Sequence, residues 1–475
     1  MSVVHPCPRV LIAGLGGGSG KTIISLGLAR AFVEQGRRVQ TFKKGPDYID
    51  AKWLSLASHS VTSNLDPFLL PASVVHNLFW NRALDADIAL IEGNRGLYDG
   101  KDIAGTYSSA ELAKVLDCPV VLVADCTKVT RTMAALLLGL RVFDPEVNIQ
   151  GVVLNRAAGH RHQRILRQSI EQYTDLRVLG IIPKLPINPI PERHMGLVAD
   201  TDLDTDPFHN LSTLVRDHVD LNALWDIAAG APEITTLPEP LFSPNFSQIS
   251  DPQVRIGVVR DAALWFYYQE NLDALRHAGA IIVEFSLLDD AHAPDVHGLY
   301  LGGGFPETMA QRLSCNSSMK ASIRHCIEQG MPVYAECGGL MYLGHVLDYN
   351  GISYSMADAL PITTHVSIKP QGHGYVCATV QAANPFYPLG RALTGHEFHY
   401  SHCAEVSDSS LFVFHMDRGQ GMVRGADALL YRNCLAGYTH IHALGHPEWA
   451  HNFVAAAAYY KRCVEKGQVC KDIRL

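Results

Sequence analysis

Short apolar stretches rich in β-branched residues alternate with stretches of helical periodicity through the first 230 residues. The clearest apolar stretches are RVLIAG, RVQTFK, ADIALIEG, CPVVLVAD, IQGVVLN and VLGIIP, which begin at residues 9, 38, 86, 118, 149 and 178. After the first of them, Ile24, Leu28, Ala31 and Phe32 recur at the spacing of one helix face, and Gly36 marks the end of that helix. This alternation predicts a doubly wound α/β domain, in which helices cover both faces of a parallel sheet.

The pattern changes near residue 230. The segment GAPEITTLPEPLFSPNFSQISDPQ is rich in proline and polar residues and has no periodicity. Apolar strands then resume with RIGVVRD at 255, AIIVEFS at 280, GLYLGGG at 298 and MPVYAEC at 331. A chain of 475 residues is also too long for one ordinary core. We therefore predict two α/β domains, residues 1–230 and 254–475, joined by a linker at 231–253.

Composition and charge narrow the class of protein. A hydrophobic content of 47% with 18% charged residues describes a folded, soluble chain, and a net charge of −8 argues against a nucleic-acid partner. The sequence shows no targeting segment and no apolar run long enough to cross a bilayer. Eleven cysteines without a C-x-x-C pair indicate reduced thiols in a cytoplasmic protein. A homodimer is possible, and the sequence does not decide the oligomeric state.

The stretch GLGGGSGKT follows the first strand and opens the first helix. Such a loop directs backbone N–H groups toward a phosphate, and the helix adds its positive end. Gly14, Gly18 and Gly20 would shape the loop, while Lys21 would reach the terminal phosphates and Thr22 would ligate Mg²⁺. The spacing departs from G-x4-G-K-[ST], because the first glycine stands six positions before Gly20. The alternative is a glycine-rich turn with an accidental Gly-Lys-Thr.

Charged residues follow two of the predicted strands. FKKGPDYIDAKW places Lys43, Asp47 and Asp50 just past the second strand, and LIEGNRGLYDG places Glu92 and Asp99 at and beyond the end of another. Ligands bind at the carboxyl ends of strands in open α/β sheets, so these carboxylates suit Mg²⁺ ligands or a pocket for a second substrate. Any single aspartate could instead cap a helix or a turn.

In the second domain, PVYAECGGLMYLGHVL runs from an apolar strand through Cys337 directly into a helical pattern. This is the form of a nucleophile elbow, in which the next N–H, that of Gly338, can stabilise an oxyanion. Gly303 and Gly304 in LYLGGGFPE could supply the other donor. We expect the helix to lower the pKa of the Cys337 thiol. A buried structural cysteine is the alternative.

Two histidine motifs near the carboxyl terminus compete for the role of base. YTHIHAL reads as a strand with His440 and His442 on one face, whereas GHPEWAHNF places His446 before a helix whose first turn suits Pro447. We therefore expect His446 to be a boundary residue. GHEFHYSH is no H-E-x-x-H zinc motif, because Tyr400 stands where the second histidine is needed.

Ten motifs together resemble the cobyrinic acid a,c-diamide synthase family: FKKGPDYIDAKW, NLDPF, IEGNRGLYDG, SSAELAKVL, GVVLNR, PERHMGL, FYYQENLDAL, LYLGGGFPE, YAECGGLMYL and GHEFHYS. The resemblance covers nearly the whole chain. It implies an ATP-binding amidoligase domain similar to dethiobiotin synthetase, fused to a triad-type class I glutamine amidotransferase domain. It further implies that ATP activates acetate carboxylates of a tetrapyrrole as acyl phosphates, and that glutamine hydrolysed at Cys337 supplies the ammonia.

The resemblance also assigns roles to individual residues. It implies Lys21, Thr22 and Lys43 at ATP and Mg²⁺, Glu92 and Asp47 at the metal, Asp47, Asp50 and Asp99 around the reacting carboxylate, Asn155 near the adenine, and His440 as the base for Cys337. The glutamate expected two residues after the base is absent, so the third triad member stays open.

A polycarboxylate substrate needs local positive charge on a chain whose net charge is −8. We expect it from Arg161 and His162 in GHRHQR and from Arg193 and His194 in PERH, although each cluster could equally be a solvated helix face or loop.

Three alternatives remain open. The segment PQGHGY at 370–375 is longer than the turn expected there, which leaves sirohaem and nickel sirohydrochlorin as substrates beside cobyrinic acid. A nucleotide-switch ATPase of the partition type would need a lysine where Gly16 stands. A small-molecule synthetase with an inactive second domain is disfavoured by the intact elbow at Cys337.

Overall fold

The computed structural model describes residues 7–185, 206–234, 238–242, 254–404, 406 and 410–474. These residues form two compact units, and the division between them falls between Leu241 and Phe242. Within the same ranges, no helix combines the length and the hydropathy needed to cross a bilayer.

The first unit consists of parallel strands and the helices that connect them. Its strands are β1 (Arg9–Gly14), β2 (Val39–Lys44), β3 (Ser63–Leu65), β4 (Ile88–Gly96), β5 (Val120–Asp125), β6 (Ile149–Ala157) and β7 (Arg177–Pro183). Its helices are α1 (Lys21–Glu34), α2 (Tyr48–Ser58), α3 (Ala72–Ala83), α4 (Ser109–Val115), α5 (Thr132–Phe143), α6 (His160–Tyr173), α7 (Pro207–His218) and α8 (Leu221–Ala229).

The seven strands form one sheet in the order β3-β2-β4-β1-β5-β6-β7. Every pair in it is parallel, which confirms the predicted doubly wound sheet. The chain leaves β1 toward one edge of the sheet and later crosses to the other, so the carboxyl end of β1 is the topological switch point. The glycine loop that follows β1 lies at this end of the sheet.

Helix α1 packs close to α7 because Gly27 has no side chain. A Cβ atom at Gly27 would lie 2.4 Å from Val215 Cγ2 and 2.7 Å from the Leu211 carbonyl oxygen. The apolar face of α1 is thereby buried between the sheet and α7, with Ile24, Leu28 and Phe32 in the core. This packing fixes the helix that carries Lys21 and Thr22 at its first turn.

The second unit is also α/β, as predicted. Its strands are β8 (Arg255–Val259), β9 (Leu264–Phe266), β10 (Ile281–Phe285), β11 (Gly298–Leu301), β12 (Gly303–Gly304), β13 (Val333–Glu336), β14 (Val346–Tyr349), β15 (Ile352–Ser355), β16 (Thr363–Val366), β17 (Gly372–Val380), β18 (Ala392–His399), β19 (Ser401–Ala404), β20 (Leu411–Arg418), β21 (Ala426–Tyr431) and β22 (Cys434–Gly437). Its helices are α9 (Gln269–His277), α10 (Ala310–Cys315), α11 (Ser317–Glu328), α12 (Gly338–Leu343) and α13 (Glu448–Glu465), with a 3₁₀ turn at Pro306–Met309.

A nine-stranded sheet organises this unit in the order β10-β8-β11-β13-β22-β21-β20-β17-β18. The first five strands are parallel and the remainder antiparallel. A two-stranded sheet pairs β12 with β9, and a four-stranded sheet has the order β15-β14-β16-β19. Strand β13, which ends just before Cys337, lies between β11 and β22. The glycine segment after β11 and the chain after β22 therefore emerge on either side of Cys337.

Two predictions about the second unit are wrong. Segment 370–375 is no long turn, because β17 begins at Gly372 and pairs with β18 from there. YTHIHAL is no strand, because β22 ends at Gly437. The backbone N–H groups of residues 438 and 439 donate to the Asp427 carboxylate at 3.0 and 2.9 Å, so a side chain replaces the neighbouring strand. His440 makes an isolated antiparallel bridge with His396.

Helix α2 is capped at its start by the side chain of Asp47, and we expect this cap to contribute to the stability of the protein. The Asp47 carboxylate accepts a hydrogen bond from the Asp50 backbone N–H at 2.9 Å. Because asparagine caps as well as aspartate, Asp47→Asn should change the free energy of unfolding by only a few tenths of a kcal/mol, whereas Asp47→Ala should lower it by about 1 kcal/mol. Urea denaturation followed by circular dichroism measures both. Equal losses would show that the charge, and not the cap, stabilises this helix.

Candidate active sites

The loop from Gly14 to Gly20 depends on glycine at both ends. A Cβ atom at Gly14 would lie 2.3 Å from Ser19 Oγ, and one at Gly20 would lie 2.1 Å from Asn155 Nδ2. Gly20 also has a φ of 97°, which disfavours any other residue. The Lys21 ammonium donates to the Gly16 carbonyl at 3.2 Å, so it already points back along the loop.

Side chains from four elements meet beside this loop. The Thr22 hydroxyl at the start of α1 donates to Glu92 Oε1 on β4 at 2.7 Å. The Lys43 ammonium on β2 donates to the same oxygen at 2.9 Å and to Asp50 Oδ2 on α2 at 2.7 Å. Lys43, Asp50 and Glu92 are all buried. The structure thus brings together four of the charged or hydroxyl side chains that the sequence singled out.

Carboxylates outnumber ammonium groups in this cluster of side chains. Burial lowers the pKa of Lys43, but the carboxylates of Glu92, Asp50 and Asp47 outweigh it and raise that pKa above its usual value. Burial raises the pKa of Glu92, against the opposing effect of Lys43. One ammonium therefore faces several carboxylates, and a further cation would relieve their mutual repulsion.

The available oxygen donors fit Mg²⁺. Glu92 Oε2 is buried and has no hydrogen-bond partner among the described residues. A hydroxyl and carboxylates are the hard ligands that Mg²⁺ prefers. Across the described chain, no three histidine, cysteine or acidic side chains converge on one metal position. Thr22 and Glu92 would therefore hold the ion together with phosphate and water oxygens.

Two other predicted residues lie at the edge of this group. Asp99 Oδ2 accepts from the Gly96 N–H at 2.8 Å, and Asp99 lines a cavity of about 370 Å³ together with Arg95 and Tyr98. Asn155 Nδ2 donates to the Ser19 carbonyl at 2.9 Å, so its amide supports the glycine loop. Contact of Asn155 with an adenine stays a prediction.

The basic residues predicted to bind the substrate differ in their surroundings. Arg161 is exposed at the start of α6, where it is accessible to a ligand. His162 Nδ1 accepts from the Ala158 N–H at 2.9 Å, and its Nε2 bonds the Val129 carbonyl, so both ring nitrogens are already engaged by the backbone. Arg193 and His194 lie outside the described residues. Binding of a polycarboxylate here stays a prediction.

The second site is built around the elbow at Cys337. This residue has φ 46° and ψ −96°, between the end of β13 and the start of α12. Positive φ is strained for a residue with a Cβ atom and recurs at functional turns. The Cys337 N–H donates to the Gly437 carbonyl at 2.7 Å, which ties the elbow to the end of β22. The expected sequence of strand, sharp turn and helix is present.

Glycines let three segments converge at the elbow. A Cβ atom at Gly303 would lie 2.6 Å from His440 Cε1, and one at Gly338 would lie 3.0 Å from the Gly304 nitrogen. The His440 ring therefore abuts the glycine segment, and that segment abuts the residue after Cys337. The two predicted sources of oxyanion donors are neighbours.

The expectation of a lowered thiol pKa is wrong. Burial raises the pKa of Cys337, and the nearby carboxylates of Glu307 and Glu336 raise it further. The N–H of Gly338 acts in the opposite direction but is outweighed. Helix α12 has only six residues, so its dipole offers little compensation. A thiol with a raised pKa stays protonated at neutral pH, so Cys337 would need a base in order to act as a nucleophile.

The histidines differ in their surroundings. His440 Nδ1 lies 3.3 Å from Glu336 Oε2, and the His396 ring stacks on the His440 ring with centroids 4.9 Å apart. His446 Nε2 instead bonds the Thr394 carbonyl at 2.9 Å. The nearby Glu448 carboxylate accepts from Arg391 Nε at 2.6 Å. The His-Pro-Glu sequence is thus engaged with the start of β18 and the residue before it, as a boundary role for His446 would require.

Sequence reasoning missed the polar network behind His440. The Tyr300 hydroxyl donates to Glu336 Oε2 at 3.1 Å, and the Ile441 N–H donates to Glu336 Oε1 at 3.3 Å. Asn271 Nδ2 donates to the Ile441 carbonyl at 3.0 Å. One signal was available: a glutamate closes the otherwise apolar strand PVYAE, and a buried carboxylate requires donors around it.

The segment GHEFHYSH contributes to folding. Glu397 accepts from the backbone N–H groups of residues 420 and 421 at 2.7 and 3.1 Å. The His399 ring stacks on Tyr438 with centroids 3.7 Å apart. These contacts anchor Glu397 and His399 within the second unit.

Comparisons with known proteins agree with this arrangement. Residues 10–198 match the CobQ/CobB/MinD/ParA nucleotide binding domain, and residues 255–448 match the CobB/CobQ-like glutamine amidotransferase domain. The chain is 42% identical to the cobyrinate a,c-diamide synthase of Magnetococcus marinus, over 93% of this chain and 96% of the relative. It is 38% identical to the enzyme of the same name from Archaeoglobus fulgidus, over 95% and 97%. The chain therefore belongs to the cobyrinate a,c-diamide synthase family.

Proposed function

We propose that this protein is a cobyrinate a,c-diamide synthase, which converts the a and c acetate carboxylates of cobyrinic acid to amides at the expense of ATP and glutamine. The observation that carries the proposal is the union, in one chain, of a nucleotide-binding domain and a glutamine amidotransferase domain, each with its own group of buried polar residues. Relatives that share this union over nearly their whole length bear that name.

The first unit would carry the activation step. The loop from Gly14 to Gly20 binds the phosphates of ATP, with Lys21 at the terminal phosphate. A carboxylate oxygen of the substrate attacks the γ-phosphorus, so that ADP leaves and an acyl phosphate forms. Thr22 and Glu92 would hold Mg²⁺, with Asp47 as a further candidate ligand, and the bound ion would neutralise phosphate charge. Lys43, with its raised pKa, stays cationic throughout.

Other residues of the first unit would position the substrate. Asp50 and Asp99 would lie near the reacting carboxylate, where Asp50 accepts from the Lys43 ammonium and Asp99 accepts from the Gly96 N–H. Arg161, together with Arg193 and His194, would provide positive charge for the other carboxylates of the ring, whereas the backbone already engages both ring nitrogens of His162. Asn155 supports the loop at Ser19, from where it would adjoin the bound nucleotide.

The second unit would supply ammonia. The Cys337 thiol gives its proton to His440, and the thiolate attacks the amide carbon of glutamine. The oxyanion is stabilised by N–H groups of Gly338 and of the segment Gly303–Gly304. Ammonia leaves with the proton from His440, and water hydrolyses the thioester to glutamate. Ammonia then attacks the acyl phosphate and releases phosphate, which completes the amide.

A nucleotide-switch ATPase is not favoured. The amidotransferase domain matches over residues 255–448, and Gly16 stands where that class needs a lysine. Sirohaem and nickel sirohydrochlorin are not favoured either, because the relatives are named for cobyrinate.

Loss of the loop lysine should abolish amidation whatever the nitrogen source. Lys21→Ala removes the cation at the terminal phosphate, so we expect a loss of at least about 100-fold with glutamine and with ammonium salts alike. Amide formation on cobyrinic acid is the measurement, and thermal unfolding checks that the variant is folded. Retained ammonia-dependent activity would exclude Lys21 from the activation step.

The two histidine motifs can be separated with a matched pair of variants. His440→Ala should lower glutamine-dependent activity by about 10²–10⁴-fold and leave ammonia-dependent activity intact, because only the base for Cys337 is lost. His446→Ala removes an equally buried ring and should keep both activities. The reverse pattern would identify His446 as the base.

The identity of the tetrapyrrole is tested by direct competition. With ATP and glutamine present, we expect turnover of cobyrinic acid, and little or none of sirohaem or nickel sirohydrochlorin. Mass spectrometry of the products reports the number of amides added. Amidation of none of the three would refute the tetrapyrrole assignment.

A further inference from the structure

Glu336 is a buried carboxylate that the steps above leave without a role. It is the last residue of β13 and directly precedes Cys337, yet it is only 1% exposed. Its Oε2 atom lies 3.3 Å from His440 Nδ1, and its Oε1 atom accepts the N–H of Ile441, the residue after His440. The carboxylate therefore contacts both the ring and the backbone of the segment that carries the histidine.

This contact decides which ring nitrogen holds a proton. An ionised carboxylate only accepts hydrogen bonds, so Nδ1 of a neutral His440 must be the protonated nitrogen. Nε2 is then left with its lone pair and can take a proton. A His440 with the opposite tautomer would have no basic nitrogen free for the thiol.

The ring of His440 is restrained on its other sides as well. His396 stacks on its face at an interplanar angle of 20°, and Gly303 leaves room for its Cε1 edge. Glu336 itself is fixed by the Tyr300 hydroxyl at 3.1 Å, and Asn271 in turn donates to that hydroxyl at 3.1 Å. A chain of buried hydrogen bonds thus extends from α9 to the histidine.

Other glutamates near these histidines are engaged elsewhere. Glu448, in the His-Pro-Glu sequence, pairs with Arg391. Glu270 lies 3.6 Å from Nε2 of His442, the neighbouring histidine. Glu336, in contrast, lies 3.3 Å from Nδ1 of His440.

We infer that Glu336 is the third member of the glutaminase triad, a positioning residue that orients His440 and fixes its tautomer from the strand before the nucleophile. The inference rests on the proposed glutaminase role of Cys337 and His440. It replaces the expected glutamate two residues after the base, where this chain has His442.

The test is Glu336→Gln in the full chain, with Glu270→Gln as its matched control. A glutamine can present its NH₂ group to Nδ1 and impose the opposite tautomer. We expect kcat for glutamate release to fall by about 10²–10⁴-fold, because the same exchange of an acid for its amide in a serine protease triad has an effect of that order. KM for glutamine and ammonia-dependent amidation should stay within about threefold, since neither uses the base. Glu270→Gln changes an equally buried glutamate beside a histidine and should keep kcat within about threefold.

A conservative variant keeps the test decisive if Glu336→Gln does not fold. Glu336→Asp keeps the charge but withdraws it by one methylene, so kcat should lie between the wild-type and Glu336→Gln values, with KM unchanged. Thermal unfolding of all variants accompanies the kinetics. If Glu336→Gln does not fold, an unchanged kcat in Glu336→Asp overturns the inference.

The remaining outcomes separate this inference from the proposed function. Wild-type kcat in Glu336→Gln, while Cys337→Ser and His440→Ala are inactive with glutamine, would overturn only the role of Glu336. Equal losses of kcat in Glu336→Gln and Glu270→Gln would also overturn it, because they would reflect packing. Glutaminase activity retained in Cys337→Ser or His440→Ala would instead refute the proposed function.

Discussion

A carboxylate buried on an interior parallel strand is the constraint on which both sites depend. Glu92 on β4 and Glu336 on β13 are each 1% exposed, and a charge at that depth is stable only when donors surround it. The chain meets this demand by directing polar groups from neighbouring elements to the same end of the sheet. The side chains needed for chemistry are collected there as a consequence.

The two carboxylates differ in what surrounds them. Glu92 faces a permanent cation, Lys43, and a hydroxyl, Thr22, while its Oε2 atom is left without a hydrogen bond among the described residues. That arrangement leaves negative charge available to a metal ion. Glu336 instead meets the Tyr300 hydroxyl, a backbone N–H and an imidazole. Those contacts engage both of its oxygens, and one of them is with the His440 ring, in keeping with the positioning role proposed for it.

The sequence predicted those features that depend on local pattern. Buried strands of a parallel sheet read as continuous apolar runs, and the loops at Gly14 and Cys337 have strong local signatures, so the sheets and both turns were predictable. The end of β22 at Gly437 could not be predicted in this way. It depends on Asp427, ten residues upstream, whose carboxylate accepts hydrogen bonds from the backbone N–H groups of residues 438 and 439. The raised pKa of Cys337 was missed for a related reason. It depends mainly on depth of burial and also on the carboxylate of Glu307, which comes from another element, and no local pattern reveals either of these.

The position of Glu336 also explains how His440, the proposed base, can lie so soon after the end of β22. Glu336 pairs in register with Gly437 across the parallel strands β13 and β22, and His440 lies three residues beyond that pair. Because Cys337 is the next residue after Glu336, the proposed nucleophile and the carboxylate proposed to orient its base occupy consecutive positions at one strand end. A single segment leaving the adjacent strand can then reach both. Moving the register of β22 by one residue would turn alternate side chains to the opposite face and carry the histidine away from the pair. The register between β13 and β22 thus fixes where His440 lies relative to Glu336 and Cys337.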